Sequence, residues 1–223
     1  MSSIADNIVD FKSRLPRGVT LVAVSKFHPV EAVRAAYNAG QRVFGESRAQ
    51  EFVVKVKQLP DDICWHFIGH LQSNKVRAVV RAGVAMVESV DSKHLLELLE
   101  AEATAAGRTV DVLLEVRVAR EETKTGFSTD ELRDLLVGEF VRSLRSVRVR
   151  GLMAMASNVD DDAAVLGEFE RVRSLFDDLR QDAMAWSTRF DTLSMGMSDD
   201  WHLAVQAGTT MVRIGSAIFG ARI

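Results

Sequence analysis

Val19-Thr20-Leu21-Val22-Ala23-Val24-Ser25-Lys26 is a short apolar, β-branched run that ends on a lysine, and His28-Pro29 follow almost at once. Its length suits a buried strand, and Pro29 suits the first turn of the helix after it. Lys26 therefore stands where a strand stops and a helix starts. An apolar strand has no structural use for an ammonium at that end. Desolvation there favours the neutral amine, the form that attacks carbonyls. Taken alone, the same lysine also reads as one that snorkels out of a strand end.

Outward from this run the alternation repeats. Before it, Ile4, Ile8, Phe11 and Leu15 mark one face of a helix over 1–15, with Ser2 or Ser3 as cap. After it, helix over 29–40 is followed by strand segments at 42–45, 63–68, 84–90, 110–118, 147–155, 190–195 and 210–214. Helices are predicted between them over 48–59, 73–82, 92–106, 129–141, 161–184 and 199–207, and Ile218-Phe219-Gly220 closes the pattern. Strict strand–helix alternation implies parallel strands with right-handed crossovers. Eight such units in about 200–250 residues predict a single-domain (β/α)8 barrel spanning 1–223. A doubly wound open sheet is the alternative, but its G-x-G-x-x-G fingerprint is missing after the first strand. No linker, composition shift or internal repeat divides the chain.

Bulk properties exclude several function classes. The 223 residues are 47% hydrophobic and 26% charged with a net charge of −3, so no nucleic-acid footprint shows. Cys64 is the only cysteine, which rules out an internal disulfide and suits a reducing compartment. No apolar run reaches the roughly 20 residues of a membrane span. Asp6 and Asp10 stand where a signal peptide needs a basic and then an apolar region, so the expected location is cytoplasmic. His, Cys and carboxylates never cluster at metal-ligand spacing, so no metal is expected.

In such a barrel, chemistry sits at the C-terminal ends of the strands, and phosphate usually binds at the loops after strands seven and eight. Those loops read Ser194-Met195-Gly196-Met197-Ser198 and Arg213-Ile214-Gly215-Ser216. Each has a glycine that lets backbone N–H groups approach an anion, and each adds a hydroxyl. The same glycines also read as ordinary turn residues. Strand alternation puts Met211, Arg213 and Gly215 on one face. A guanidinium inside a barrel needs an acceptor, either a ligand or a strand carboxylate such as Glu88 or Glu115. His66, flanked by Trp65 and Phe67, reads as a core histidine or a site residue near a strand end. Glu121-Glu122-Thr123-Lys124-Thr125-Gly126 reads as a polar loop after strand five.

Several stretches together carry a family resemblance. They are Val22-Ala23-Val24-Ser25-Lys26, Phe44-Gly45-Glu46, Trp65-His66-Phe67-Ile68-Gly69 with Leu71-Gln72 and Asn74-Lys75, Glu121 with Lys124 and Gly126, Gly151-Leu152-Met153, Leu193 to Ser198, and Met211 to Gly215 through Phe219-Gly220-Ala221-Arg222. The chain resembles the pyridoxal phosphate homeostasis proteins, small barrels related to the N-terminal domain of alanine racemase (fold type III). The resemblance implies a modified TIM barrel with pyridoxal 5′-phosphate held as a Schiff base on Lys26. It implies that Ser194, Gly196, Gly215 and Ser216 hold the phosphate, that Arg213 faces the pyridine nitrogen and that His66 lies near the ring. Some positions depart from the pattern: Ser47 replaces the usual Asn, Arg48 the usual Tyr, Ser216 the usual Thr and Arg117 a typical Asn.

Three functions fit these residues. The resemblance favours a carrier or regulator in pyridoxal phosphate homeostasis, without substantial turnover, in contact with the cofactor, related B6 vitamers and the apo forms of enzymes that use it. A racemase-like enzyme would need a second acid or base on the other cofactor face. The racemases bring a tyrosine for it from a second domain and a partner subunit, whereas Tyr37 is the only tyrosine here and the sequence closes at Ile223. A cofactor-free Schiff-base aldolase would use Lys26 on a sugar phosphate. The expected assembly is a monomer or weak dimer.

Overall fold

The computed structural model describes residues 3–118, 125–183 and 189–220. Its eight strands are β1 (Thr20–Val24), β2 (Val43–Glu46), β3 (Cys64–Phe67), β4 (Met86–Val90), β5 (Val110–Glu115), β6 (Val147–Met153), β7 (Thr192–Ser194) and β8 (Met211–Ile214). Each pairs in parallel with the next. β8 returns to β1, with Thr20 opposite Met211 and Ala23 opposite Ile214, so the sheet closes into a barrel. Closure leaves no strand edge exposed for pairing with another chain.

The crossovers carry α2 (Val30–Asn38), α3 (Ala49–Val56), α4 (Val76–Ala82), α5 (Lys93–Ala105), α6 (Thr129–Val137), α7 (Glu139–Ser143), α8 (Asp162–Ala183) and α9 (Trp201–Gln206), with α10 (Ser216–Phe219) after β8. α10 has only 4 residues, too few to cover the seam between β8 and β1. α1 (Ile4–Arg14) covers it instead. Its Asn7 amide donates to the Ile218 carbonyl at 2.8 Å, and Phe11 meets Trp201 of α9 edge-on at 5.7 Å. α1 starts with a capping box in which Ser3 and Asp6 each satisfy the other's backbone N–H.

Apolar side chains fill two regions. A large cluster lies between strands and helices, and a smaller one of Val22, Met86, Leu113, Met153 and Met211 lies inside the barrel. Above that inner apolar layer the interior turns polar, with His66, Glu88, Ser194 and Arg213 all buried. Layering of inward side chains is the normal way a barrel fills itself. Gly151 lets β6 lie close to β7: at φ +151 an added Cβ would fall 1.8 Å from the Thr192 carbonyl oxygen.

The predicted elements all appear, with shifted ends. β1 stops at Val24, two residues before Lys26, because Ser25 to His28 form a turn closed by the His28 N–H and the Ser25 carbonyl at 3.1 Å. β5 stops at Glu115 rather than 118, and β6 at Met153 rather than 155. The helix predicted over 129–141 is two helices, broken at Gly138, which is extended (ψ 158) and caps both. The Glu121 to Lys124 part of the polar loop, and Ala221-Arg222, lie outside the described residues. Among the described residues, no helix is long and apolar enough to cross a membrane.

Candidate functional site

The strand run that ends at Val24 delivers Ser25 and Lys26 to the C-terminal mouth of the barrel. A cavity of about 290 Å³ opens there. Val24 at the end of β1 and Lys26 and His28 in the turn after it line the cavity, with Ile68 just past β3, Met155 just past β6, Met197, Ser198 and Asp199 from the loop after β7, and Arg213, Gly215 and Ser216 from β8 and the turn after it. Small-molecule sites combine apolar walls with a few convergent polar groups in this way. Larger grooves of about 670 and 620 Å³ lie on the outer surface, but neither takes in Lys26 or Arg213.

Arg213 is the polar floor. Its Nη1 donates to the Ser194 carbonyl at 3.0 Å and to Ser194 Oγ at 2.6 Å, and its Nη2 donates to the Ala154 carbonyl at 2.9 Å. A guanidinium has five N–H donors, so these bonds leave two for the cavity. Ser194 Oγ donates a hydrogen bond to Glu88 Oε2 at 2.7 Å, and Glu88 Oε1 sits 2.7 Å from His66 Nδ1. Cys64 Sγ lies 3.6 Å from His66 Nε2. Four strands thus meet in one hydrogen-bonded chain across the barrel interior.

Burial by itself would disfavour every charge in this chain. For His66, the contacts with Cys64 and Glu88 outweigh burial and lift the imidazole to about 9. For Glu88, burial raises the carboxyl, but His66, Arg213 and Ser194 together hold it below its ordinary value. Burial also pulls Arg213 down, against the attraction of Glu88, yet a guanidinium stays charged at any ordinary pH. Glu88 is therefore the carboxylate that compensates two buried cations. Of the two acceptors considered for Arg213, the strand carboxylate is present, with Glu88 at 3.7 Å, and the guanidinium also lines the cavity.

The two loops expected to hold an anion come together. The Gly215 N–H donates to Ser198 Oγ at 3.2 Å, and the Gly215 carbonyl accepts from Ile218 and Phe219 at 2.9 and 3.0 Å to open α10. The first N–H groups of a helix have no acceptor within it, so Ser216 and its neighbours form a donor-rich corner. Of the residues expected at the site, Lys26, Arg213, Gly215 and Ser216 line the cavity. His66, Ser194 and Gly196 do not. Ser194 spends its hydroxyl on Glu88, and His66 lies deeper on the same chain. Gly196 has φ +91, and an added Cβ would sit 2.6 Å from Ala204 Cβ and 3.0 Å from Trp201 Cα, so its missing side chain serves the packing of α9. Sequence reading passed over His28 and Asp199 and left Ser198 out of the site. Ser198, four residues after Ser194 on the same loop, is the hydroxyl that reaches the cavity. Among the described residues, no group of His, Cys, Asp and Glu could hold a metal ion.

The sequence and the fold have known relatives. A family model of the alanine racemase N-terminal domain matches residues 1–223. The pyridoxal phosphate homeostasis protein of Vibrio alginolyticus is 40% identical over 237 residues, covering 100% of this chain and 99% of its own length. Its counterpart in Schizosaccharomyces pombe is 38% identical over 207 residues, covering 92% of this chain and 85% of its own. The chain belongs to the pyridoxal phosphate homeostasis protein family.

Solved structures agree with that membership. PipY of Synechococcus elongatus, 40% identical over 98% of this chain and 100% of its own, superposes with a TM-score of 0.91 without pyridoxal phosphate and 0.89 with it bound. An alanine racemase from E. faecalis shares the barrel at a TM-score of 0.74, with 20% identity over 57% of its chain. That likeness extends to the fold alone. The family and the closed barrel together bear out the (β/α)8 barrel expected from strand–helix alternation and the modified TIM barrel that the resemblance implied.

Proposed function

We propose that this chain binds pyridoxal 5′-phosphate and serves its intracellular homeostasis as a carrier or regulator, without substantial turnover of its own. The observation that carries the reading is the meeting of Lys26, Arg213 and the Ser198–Gly215–Ser216 corner in one cavity. PipY, a relative at 40% identity, has been solved with pyridoxal phosphate bound.

The donor set suits that group. When bound, it supplies an aldehyde that condenses with an amine and a pyridine ring that draws electrons. Lys26 supplies the amine. Val24, Ile68, Met155 and Met197 give apolar walls against which a flat ring can exclude water. Ser216, Ser198 and the opening N–H groups of α10 hold the phosphate, while the carboxylate of Asp199 at the rim limits where an anion can sit. Ser194 acts from below, by fixing Arg213. Gly196 acts through the shape of its loop.

The same residues argue against efficient catalysis. Arg213 is a permanent donor, so it leaves a pyridine nitrogen unprotonated and keeps the ring a shallow electron sink. Tyr37 donates to Asp62 Oδ1 at 2.7 Å, beside the entrance to β3 at the opposite end of the barrel. It cannot act as an acid or base at the mouth.

The test is the absorbance spectrum of protein mixed with pyridoxal phosphate, before and after borohydride. A visible band should form, and borohydride should fix the label on the peptide containing Lys26. Lys26→Ala should abolish the band and retain weak phosphate binding. A label recovered on Lys75 or Lys93 would overturn the assignment. Transfer of the cofactor to an apoenzyme, followed in parallel, tests the carrier role.

A further inference from the structure

Lys26 does not end a strand but occupies the second position of a tight turn, Ser25 to His28. The third position of that turn is Phe27, at φ +68. Among the described residues it is the one non-glycine residue with positive φ. That conformation suits glycine and strains any residue with a Cβ, so the surroundings must impose it.

Those surroundings are a polar cluster with no part in the cavity lining. Lys55 on α3 is buried, with its Nζ donating to the Ser25 carbonyl at 2.7 Å and to Glu46 Oε1 at 2.6 Å. Ser25 Oγ donates to the same Glu46 oxygen at 2.6 Å. Glu51, one helical turn before Lys55, accepts the Phe27 N–H on Oε2 at 2.9 Å and lies 3.7 Å from Lys55. Arg48 stacks over the Phe27 ring at 4.5 Å and reaches Glu51 at 3.4 Å. Both sides of Lys26 are thus gripped: Ser25 by Glu46 and Lys55, and Phe27 by Glu51 and Arg48.

A buried ion pair of this kind adds little net stability over an apolar substitute of the same shape. Glu46 makes the point sharply. It is wholly buried, yet its Oε2 finds no hydrogen-bond partner among the described residues. The pair is poorly explained as a stability device. It does fix where a backbone carbonyl and a strained N–H point.

We propose that Glu46, Lys55 and Glu51 are positioning residues that hold the Ser25–His28 turn and so present the Lys26 amine to the cavity. This rests on the reading that Lys26 takes the aldehyde of pyridoxal phosphate. If the turn relaxes, the fraction of molecules with Lys26 in place falls, and apparent affinity for an aldehyde ligand falls in proportion. Ligands that use only the ring and phosphate contacts change far less, because only Lys26 and His28 of the turn line the cavity.

The experiment compares pyridoxal 5′-phosphate with pyridoxine 5′-phosphate, which lacks the aldehyde and cannot link to Lys26. Lys55→Met and Glu51→Leu should each lower the ratio of the two affinities about tenfold while leaving pyridoxine phosphate within about twofold of the parent. Glu51→Gln keeps an acceptor for the Phe27 N–H and should restore the ratio to within about twofold. Glu51 is partly exposed, so its variants decide the matter if Lys55→Met does not fold. An unchanged ratio in folded Glu51→Leu overturns the proposal. A parent protein that never links to Lys26 overturns the reading beneath it as well; a parent that links while the variants match it overturns the positioning role alone.

Discussion

Glu88 Oε1 lies 2.7 Å from His66 Nδ1, inside the barrel and out of reach of water. The two residues sit on adjacent strands, β4 and β3, and each sets the charge of the other. Burial alone would keep the imidazole neutral, but Cys64 and Glu88 lift it to about 9, above the ordinary value of 6.5. A group whose folded value is raised contributes stability that is complete below its unfolded value and lost as the pH climbs through the folded one. Unfolding free energy from urea melts should therefore fall by about 1–3 kcal/mol between about pH 6.5 and about pH 9.5. His66→Gln should flatten that part of the profile. An equal slope in parent and variant would mean the imidazole is neutral at pH 7.

Removing the carboxylate should cost more than losing the His66 charge at high pH. Glu88→Ala leaves Arg213 buried without its nearest carboxylate, pushes His66 towards its neutral form and strands the Ser194 hydroxyl. A loss of about 3–5 kcal/mol is expected, with Glu88→Gln retaining part of it through its amide oxygen. Denaturant midpoints at unchanged slope would measure this. A loss under about 1 kcal/mol would show that the interior relaxes around the vacancy.

Gly196→Ala tests whether that glycine serves packing. The new Cβ meets Ala204 Cβ at 2.6 Å and the Trp201 backbone at 3.0 Å, at φ +91. The substitution should destabilise the protein by about 1–3 kcal/mol and shift the Ser198 loop, weakening phosphate binding as a consequence. Full stability with lost phosphate affinity would instead assign Gly196 a direct contact.

The anion corner predicts an order among the serines. Ser198→Ala and Ser216→Ala remove hydroxyls that line the cavity, and each should weaken pyridoxal phosphate by about ten- to a hundredfold if it contacts the phosphate. Ser194→Ala should change the absorbance band through Arg213 more than it changes phosphate affinity. Titrations of the three variants with inorganic phosphate as competitor separate these effects. Parent-like affinity in Ser198→Ala with Ser216→Ala would place the phosphate elsewhere.

The loaded protein should show little amino-acid turnover. Steady-state assays against a panel of L- and D-amino acids should give a kcat far below the enzyme median of about 10 s⁻¹. A value near that median on any amino acid would restore the racemase-like alternative.

Alternation of apolar runs with amphipathic stretches determined, in the sequence alone, a parallel α/β fold and pointed to a barrel over an open sheet, while the pairing of β8 with β1 decided closure. Period-2 and period-3.6 patterns are local, and parallel strands joined by helices close in few ways. Lys26 and the two glycine-serine loops were legible for the same reason, since they follow closely on strand ends that the pattern locates. Tertiary structure decided which side chains meet. That Ser194 turns inward to Glu88, 106 residues away, depends on the register of β7 against β4 across the interior, which no local pattern encodes. The grip of Lys55 on Ser25 likewise spans 30 residues. A buried lysine on a helix looks in sequence like any solvated one, and only the packing of α3 against the end of β1 distinguishes it, because only there is water excluded from its charge.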